Sequence, residues 1–512
     1  MAITTANKRI LNSPIPSATT GETAPQLNEW WPVEYIEPFK DKGDPLADRV
    51  MDILYAEGRA DAAISGNPAD RPRRTLQFLQ LVINRLTIPD PEKEHPFVEE
   101  DPNYTFTPEV KAAMQDFLRQ GSKLPDWADM DMVRQAQKLF ADNPIVAYTL
   151  LACLSLPVLY TCGRGGIQVL ILTEQLDRKV RRRIIETGML TLGVMVQDSF
   201  LKLPDKSNLT NPIPMGIEGI LRVRLLHAAS RTVIHEFWKD GVKDRAAEAG
   251  KAADVPSKVR NYQGKAADQI WKEEWGMPIG QQYLAGTLMT FSYIILYGLK
   301  ELGVILDEKD LKAYMHFWNV FGYVLGIDEE LLLKLDFPGT GKPQYVNNKP
   351  VHAATGHEMY EVGKALYTQV MKLNRSSDED SIRDGRILTK AVLDYASNVI
   401  KENTPGKVPT YLTRLPKMLM WKLLSKDDRH LLGVNITPTD AILIPFALLL
   451  FKIRGIFSKV TGTPSNAIAN LIFRLMQADT TKVYDQLQQE TGVRYPGVPM
   501  EFQEKWGLVK KS

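Results

Sequence analysis

The chain has 512 residues, with 63 Lys and Arg against 61 Asp and Glu, a formal net charge of +2. That balance offers a polyanion no electrostatic footprint, so nucleic acid is excluded as a first-choice partner. Two cysteines, Cys153 and Cys162, are too few for a disulfide-rich scaffold or a four-cysteine zinc site, and their spacing does not suit a mixed cysteine–histidine finger.

Residues 1–40 read as a flexible Ser/Thr/Pro-rich tail, and Met1–Thr20 has no apolar signal core. The expected compartment is therefore cytoplasmic, with a secreted mature form and peripheral membrane contact left open. A mean hydropathy of −0.22 argues against a polytopic membrane protein. Pro144–Gly163 and Gly276–Leu299 carry no charge. Their prolines, glycines and hydroxyls suit buried core helices better than membrane spans. Ala441–Phe451 is apolar but too short to cross.

Helical spacing of apolar residues dominates the rest. Asp44–Glu57, Thr75–Leu86, Pro108–Leu118, Met130–Ala141, Arg178–Val196 and Gly219–Trp238 read as helices. So do Gln281–Leu302, Glu308–Leu325, Glu358–Lys372, Ile382–Glu402 and segments from Tyr411 to Met476. No run of alternating β-branched residues suggests a sheet, although Val346–Val351 could form a small hairpin around its Asn-Asn turn. Lys239–Pro256, Leu335–Lys349 and Arg375–Asp384 read as loops. The fold expected is all-α: one large multi-helix domain over 41–490, followed by a tail over 491–512.

Several motifs fail on spacing. Gly339-Thr-Gly-Lys-Pro343 lacks both the first glycine and the Ser/Thr of a phosphate loop. His235-Glu236 begins like a zincin helix, but Lys239 stands where the second histidine is needed. His352 and His357 share a helix face poorly. Tyr314, Phe317, Trp318 and Phe321 have the spacing of a packed core stripe.

On the helix Gly219–Trp238, Arg224, His227 and Arg231 stand at i−3, i and i+4 on one side. Ala228 and Ala229 beside the histidine would let a flat group approach the backbone. Neighbouring Leu221, Leu225 and Val233 imply burial, and a buried face carries two arginines only where anions meet them. Haem b would supply an iron for the imidazole and two propionates for the guanidiniums. An ordinary exposed Arg-His-Arg face satisfies the same spacing.

The segment Arg222-Val-Arg-Leu-Leu-His-Ala-Ala-Ser-Arg231 resembles the central motif of the latex-clearing proteins, b-type haem rubber oxygenases grouped with fungal oxygenases that cut a farnesyl chain. Gly43–Asp48, Trp275–Gln281, Gly286–Ser292, Phe317–Asp328 and Arg414-Leu-Pro416 resemble further blocks of that family in the same order, so the resemblance covers about residues 40–460. It implies a globin-like helical haem domain, with His227 as proximal iron ligand and Arg224 near the haem; Arg231 is expected at the cofactor from its place on the same helix face. It also implies Arg183 and Thr187 as distal-pocket residues. Family members that cleave rubber carry a lysine just before that threonine, where this chain has Glu186, a departure that counts against rubber as substrate. The implied activity is oxidation or cleavage of a C=C bond in an apolar isoprenoid or lipid-like substrate by O2. Arg183 would stabilise developing negative charge and Thr187 would hydrogen-bond oxygen, while Glu186 would either take an allylic proton or lie exposed and pair with Arg182 or Arg183. A non-catalytic helical haem or gas-binding protein, or a helical interaction protein without haem, would be the other classes.

Overall fold

A computed structural model describes residues 31–65, 107–172, 180–195, 197–200, 215–239, 271–333, 345–346, 349–350, 355–403 and 410–461. The expected helix Thr75–Leu86, the Gly339–Pro343 turn, the loop Lys239–Pro256 beyond its first residue, residues 1–30 and the C-terminal tail lie outside that set. The last ten residues of the expected N-terminal tail are not a flexible segment: they form two short helical turns, and Trp31, Ile36 and Phe39 anchor them in the core.

Among the described residues the fold is all-α, as the periodicity predicts. The helices are α1 (Val33–Ile36), α2 (Pro45–Ser65), α3 (Pro108–Gly121), α4 (Met130–Asp142), α5 (Pro144–Leu150), α6 (Leu156–Leu159), α7 (Gln168–Leu172), α8 (Val180–Met195) and α9 (Met215–Lys239). They continue with α10 (Gln281–Phe291), α11 (Tyr293–Glu301), α12 (Glu308–Val324), α13 (Gly356–Asn374), α14 (Glu379–Asn403), α15 (Thr410–Leu423), α16 (Lys426–Leu432) and α17 (Pro438–Thr461). The expected hairpin is present as two short antiparallel strands, pairing Tyr345 with Pro350 and Val346 with Lys349.

Local chemistry sets the helix ends. Asp307 and Asp310 form a reciprocal capping box at α12, and Thr355 with Glu358 does the same at α13. The spacing predicts one helix over Gln281–Leu302, but the chain bends at Ser292 (φ −102°, ψ −81°). The Thr290 and Ser292 hydroxyls donate back to the carbonyls of Thr287 and Leu288, at 2.8 and 2.9 Å. Such back-bonding bends helices, and hydropathy alone does not reveal it.

The two uncharged stretches are core. Leu150, Leu154 and Val158 are buried, as are Tyr293 to Leu296. They pack directly on each other, because a Cβ at Gly298 would collide with the Leu150 side chain. No single described helix is long and apolar enough to cross a membrane. Helix α12 lies at the centre, against α4 on one side and α13 on another. Its Tyr314, Phe317, Trp318 and Phe321 are buried, with Trp318 meeting the rings of the other three and of Phe291 at centroid distances of 4.9–6.3 Å. The aromatic stripe is core packing, as its spacing suggests.

One polar group in this core responds to pH. His316 on α12 is fully buried, and its Nε2 accepts the Asp129 N–H at 2.9 Å, tying α12 to the start of α4. Burial pushes its pKa down to about 4 from 6.5. Below pH 6.5 the unfolded chain therefore takes up a proton that the folded chain refuses. The His316 contribution is complete above about pH 6.5 and is lost as pH falls through 4, a total of about 3 kcal/mol. Denaturant midpoints measured between pH 7.5 and 4 should fall in that window for the wild type. They should fall less for His316→Gln, which keeps an acceptor but cannot be protonated.

Candidate functional site

Helix α9 carries the Arg224-His227-Arg231 constellation, and its charged groups are buried as the apolar neighbours require. Arg224 is 8% exposed and Arg231 3%. The anions that meet them come from the chain itself. Arg224 donates Nε and Nη2 to the two carboxylate oxygens of Asp44, at 2.5 and 2.9 Å, and Nη1 to the Val324 carbonyl at 3.1 Å. Arg231 donates Nε to Asp48 at 2.8 Å and Nη1 to the Ile279 carbonyl at 3.2 Å, and its Nη2 lies 2.7 Å from the same carboxylate. Both carboxylates also cap α2. Asp44 accepts the Ala47 N–H at 3.3 Å, and Asp48 accepts the Asp44 N–H at 2.7 Å. Burial pushes the Asp48 carboxyl above its ordinary value, against the opposing pull of Arg231.

Glycines make room for these pairs. Gly326 has φ +84°, and a side chain there would strike both the Arg224 guanidinium and Asp44; one at Gly43 would strike Asp48. Gln281 closes the node. Its side-chain amide donates to the carbonyls of Gly43 and Gly326 at 2.9 and 2.8 Å, and its side-chain oxygen accepts the Asp328 N–H at 2.8 Å. The four sequence blocks around Gly43, Arg224, Gln281 and Gly326 thus converge on one buried polar node. Asp44, Asp48 and Gln281 carry that node, and sequence reasoning gave them no role. The available signal was the demand of two buried arginines for two anions.

His227 stands about 40–60° around the helix from the two arginines. It is half-buried with its Nδ1 fully buried, and Ala228 and Ala229 beside it are buried. Helix α8 packs along α9. The Gly216 N–H donates to the Ser199 carbonyl at 2.9 Å, and a Cβ at Gly219 would lie 3.5 Å from Leu190. These contacts define an antiparallel hairpin. Thr187, one turn from Arg183, is half-buried and its carbonyl accepts the Thr191 hydroxyl at 2.9 Å. Arg183 and Glu186 are placed on α8, with their side chains outside the described set.

The donor set fits haem in one part and not in another. An imidazole on a helix flanked by small side chains suits an axial ligand. The guanidiniums of Arg224 and Arg231 are engaged by Asp44 and Asp48, so propionates would need other partners. A shallow cleft lined by Lys40, Trp275, Met277, Ile279, Gln282 and Asn374, among others, has a cavity volume of about 10 Å³, far below that of a small-molecule site. Among the described residues no three His, Cys, Asp or Glu side chains gather to hold a metal ion.

No family model matches the sequence, and no curated protein matches it. A solved structure, that of latex clearing protein LCP in the closed state, superposes with a TM-score of 0.53 over 86% of this chain and 91% of that one, at 16% sequence identity. The fold is therefore LCP-like.

Removing one partner of the node should be costly, because a buried carboxylate then loses its counter-charge. Arg224→Met is expected to lower stability by about 3–5 kcal/mol. Adding Asp44→Leu should recover part of the loss, measured by denaturant unfolding of the two variants side by side.

Proposed function

We propose that the protein is a haem-dependent oxygenase that uses O2 to oxidise or cleave a C=C bond in an apolar, isoprenoid or unsaturated lipid-like substrate. The observation that carries this reading is the position of His227 in an LCP-like fold: a half-buried imidazole on a helix fixed above and below by ion pairs, beside the helix that bears Arg183 and Thr187. In this reading His227 would hold the iron of haem b, which would supply the site of dioxygen activation. Arg224 and Arg231 are positioning residues. They hold α9 against α2 and so fix the height and azimuth of the imidazole.

Arg183 and Thr187 are assigned the distal side. An arginine there donates hydrogen bonds to oxygen atoms that gain negative charge as a double bond is attacked, and a threonine hydroxyl orients the same group. Glu186 sits where rubber-cleaving members carry lysine, and a carboxylate at that position can accept an allylic proton. With Glu186 in that role a small isoprenoid or lipid is a better substrate than a solid polymer.

An absorption spectrum of the purified protein, oxidised and dithionite-reduced, tests the cofactor assignment. A Soret band is expected in the wild type. His227→Ala should lose that band on isolation and on hemin titration, while keeping the wild-type circular dichroism. Full haem occupancy in that variant would remove His227 as ligand. For the chemistry, carbonyl products should form from an isoprenoid only under oxygen, and Arg183→Ala and Thr187→Ala should lower their yield without loss of the Soret band. A haem-loaded protein that consumes no oxygen with any apolar compound would instead be a binder.

A further inference from the structure

Helix α17 is apolar on both sides. Its inner side, with Ile444 buried and Leu448 and Phe451 packed on the core, holds the helix to the protein. On the outer side Ile442, Phe446, Leu449 and Ile453 are 53–67% exposed and account for four of the six large hydrophobic side chains exposed among the described residues. Their 4-3-4 spacing confines them to an arc of about 60°. A fifth, Ile305, is 51% exposed in the turn that follows Gly303, where a Cβ would lie 2.7 Å from the Lys452 Cα. The stripe is thus one ridge along a single helix, extended by a neighbouring turn, and a contiguous exposed apolar surface of this kind marks an interaction site.

Charge indicates what covers it. From Ala441 to Ala478 the sequence holds four cations, Lys452, Arg454, Lys459 and Arg474, and no Asp or Glu, in a chain with 61 acidic residues. Lys452 is exposed beside the stripe. A two-fold dimer along this helix would bring together two copies of a stretch that holds cations and no acid of its own to pair with them. An anionic lipid surface meets both features at once, taking the apolar side chains into the acyl boundary and the lysine at the phosphates. No single described helix is long and apolar enough to cross a membrane, so such a contact would lie in the interface.

We propose that the outer face of α17 is a membrane-docking surface for anionic phospholipid bilayers, with Ile442, Phe446, Leu449 and Ile453 inserted and Lys452 at the headgroup level. Neither haem nor His227 is required for it.

Flotation of the full chain with vesicles of phosphatidylcholine, with and without phosphatidylserine, tests the assignment. The wild type should float with the anionic vesicles, less at high salt and less with phosphatidylcholine alone. Phe446→Glu/Leu449→Glu should bind at least roughly tenfold more weakly with an unchanged melting temperature, since both side chains are exposed. Absence of wild-type flotation, or flotation unchanged in the double variant, would overturn the proposal. A wild-type dimer that the double variant converts to a monomer would give the stripe to a second copy and overturn it. So would a loss of several degrees in melting temperature, which would mean that the chain itself covers the stripe.

Discussion

Two guanidinium groups buried on one side of α9 cannot keep their charge without carboxylates in contact, and that requirement organises the surrounding structure. Asp44 and Asp48 meet it from the start of α2, where the same two carboxylates cap the helix. Each carboxylate therefore does two jobs, and α2 cannot shift along α9 without uncovering both a charge and a helix end. Desolvation makes such pairs poor sources of net stability, yet breaking one is expensive. The node acts as a register lock. It admits few arrangements, because Gly43 and Gly326 leave room for no side chain and Gln281 fixes the backbones of both.

The lock has a chemical consequence for the imidazole it encloses. Each arginine is matched by its own carboxylate, so the face around His227 carries compensated charge. Positional precision follows from the same contacts. An arginine one turn before the histidine and another one turn after it are both held to α2, so the ring cannot translate without breaking a charge-assisted hydrogen bond.

The all-α class was legible because apolar residues at helical spacing recur through most of the chain, and the aromatic stripe of α12 was read correctly as core by the same rule. The bend at Ser292 was not legible, since it depends on hydroxyls bonding back to their own helix and leaves the hydropathy pattern unbroken. At the candidate site the sequence pointed to buried arginines in need of anions but could not say whose. A propionate and an aspartate 180 residues away are equivalent to a pattern on one helix, and only the chain path brings Asp44 to Arg224. The resemblance blocks were found in order, but their convergence on Gln281 and Gly326 is a property of the fold.

The packing of the uncharged helices also constrains how an apolar molecule would approach. In the structure Gly298 accepts the Leu150 side chain and Gly286 accepts Val370, contacts too close to admit another group. A glycine at such a seam exists to remove space, so these helices lie against their neighbours at both points. The polar node closes the α2 side of α9 in the same way, with Arg224 and Arg231 both tied across it. Approach to His227 from the α2 side of α9 is therefore closed. Helix α8, which carries the residues assigned to oxygen chemistry, packs along α9 as well, so those residues and the imidazole belong to one pair of helices.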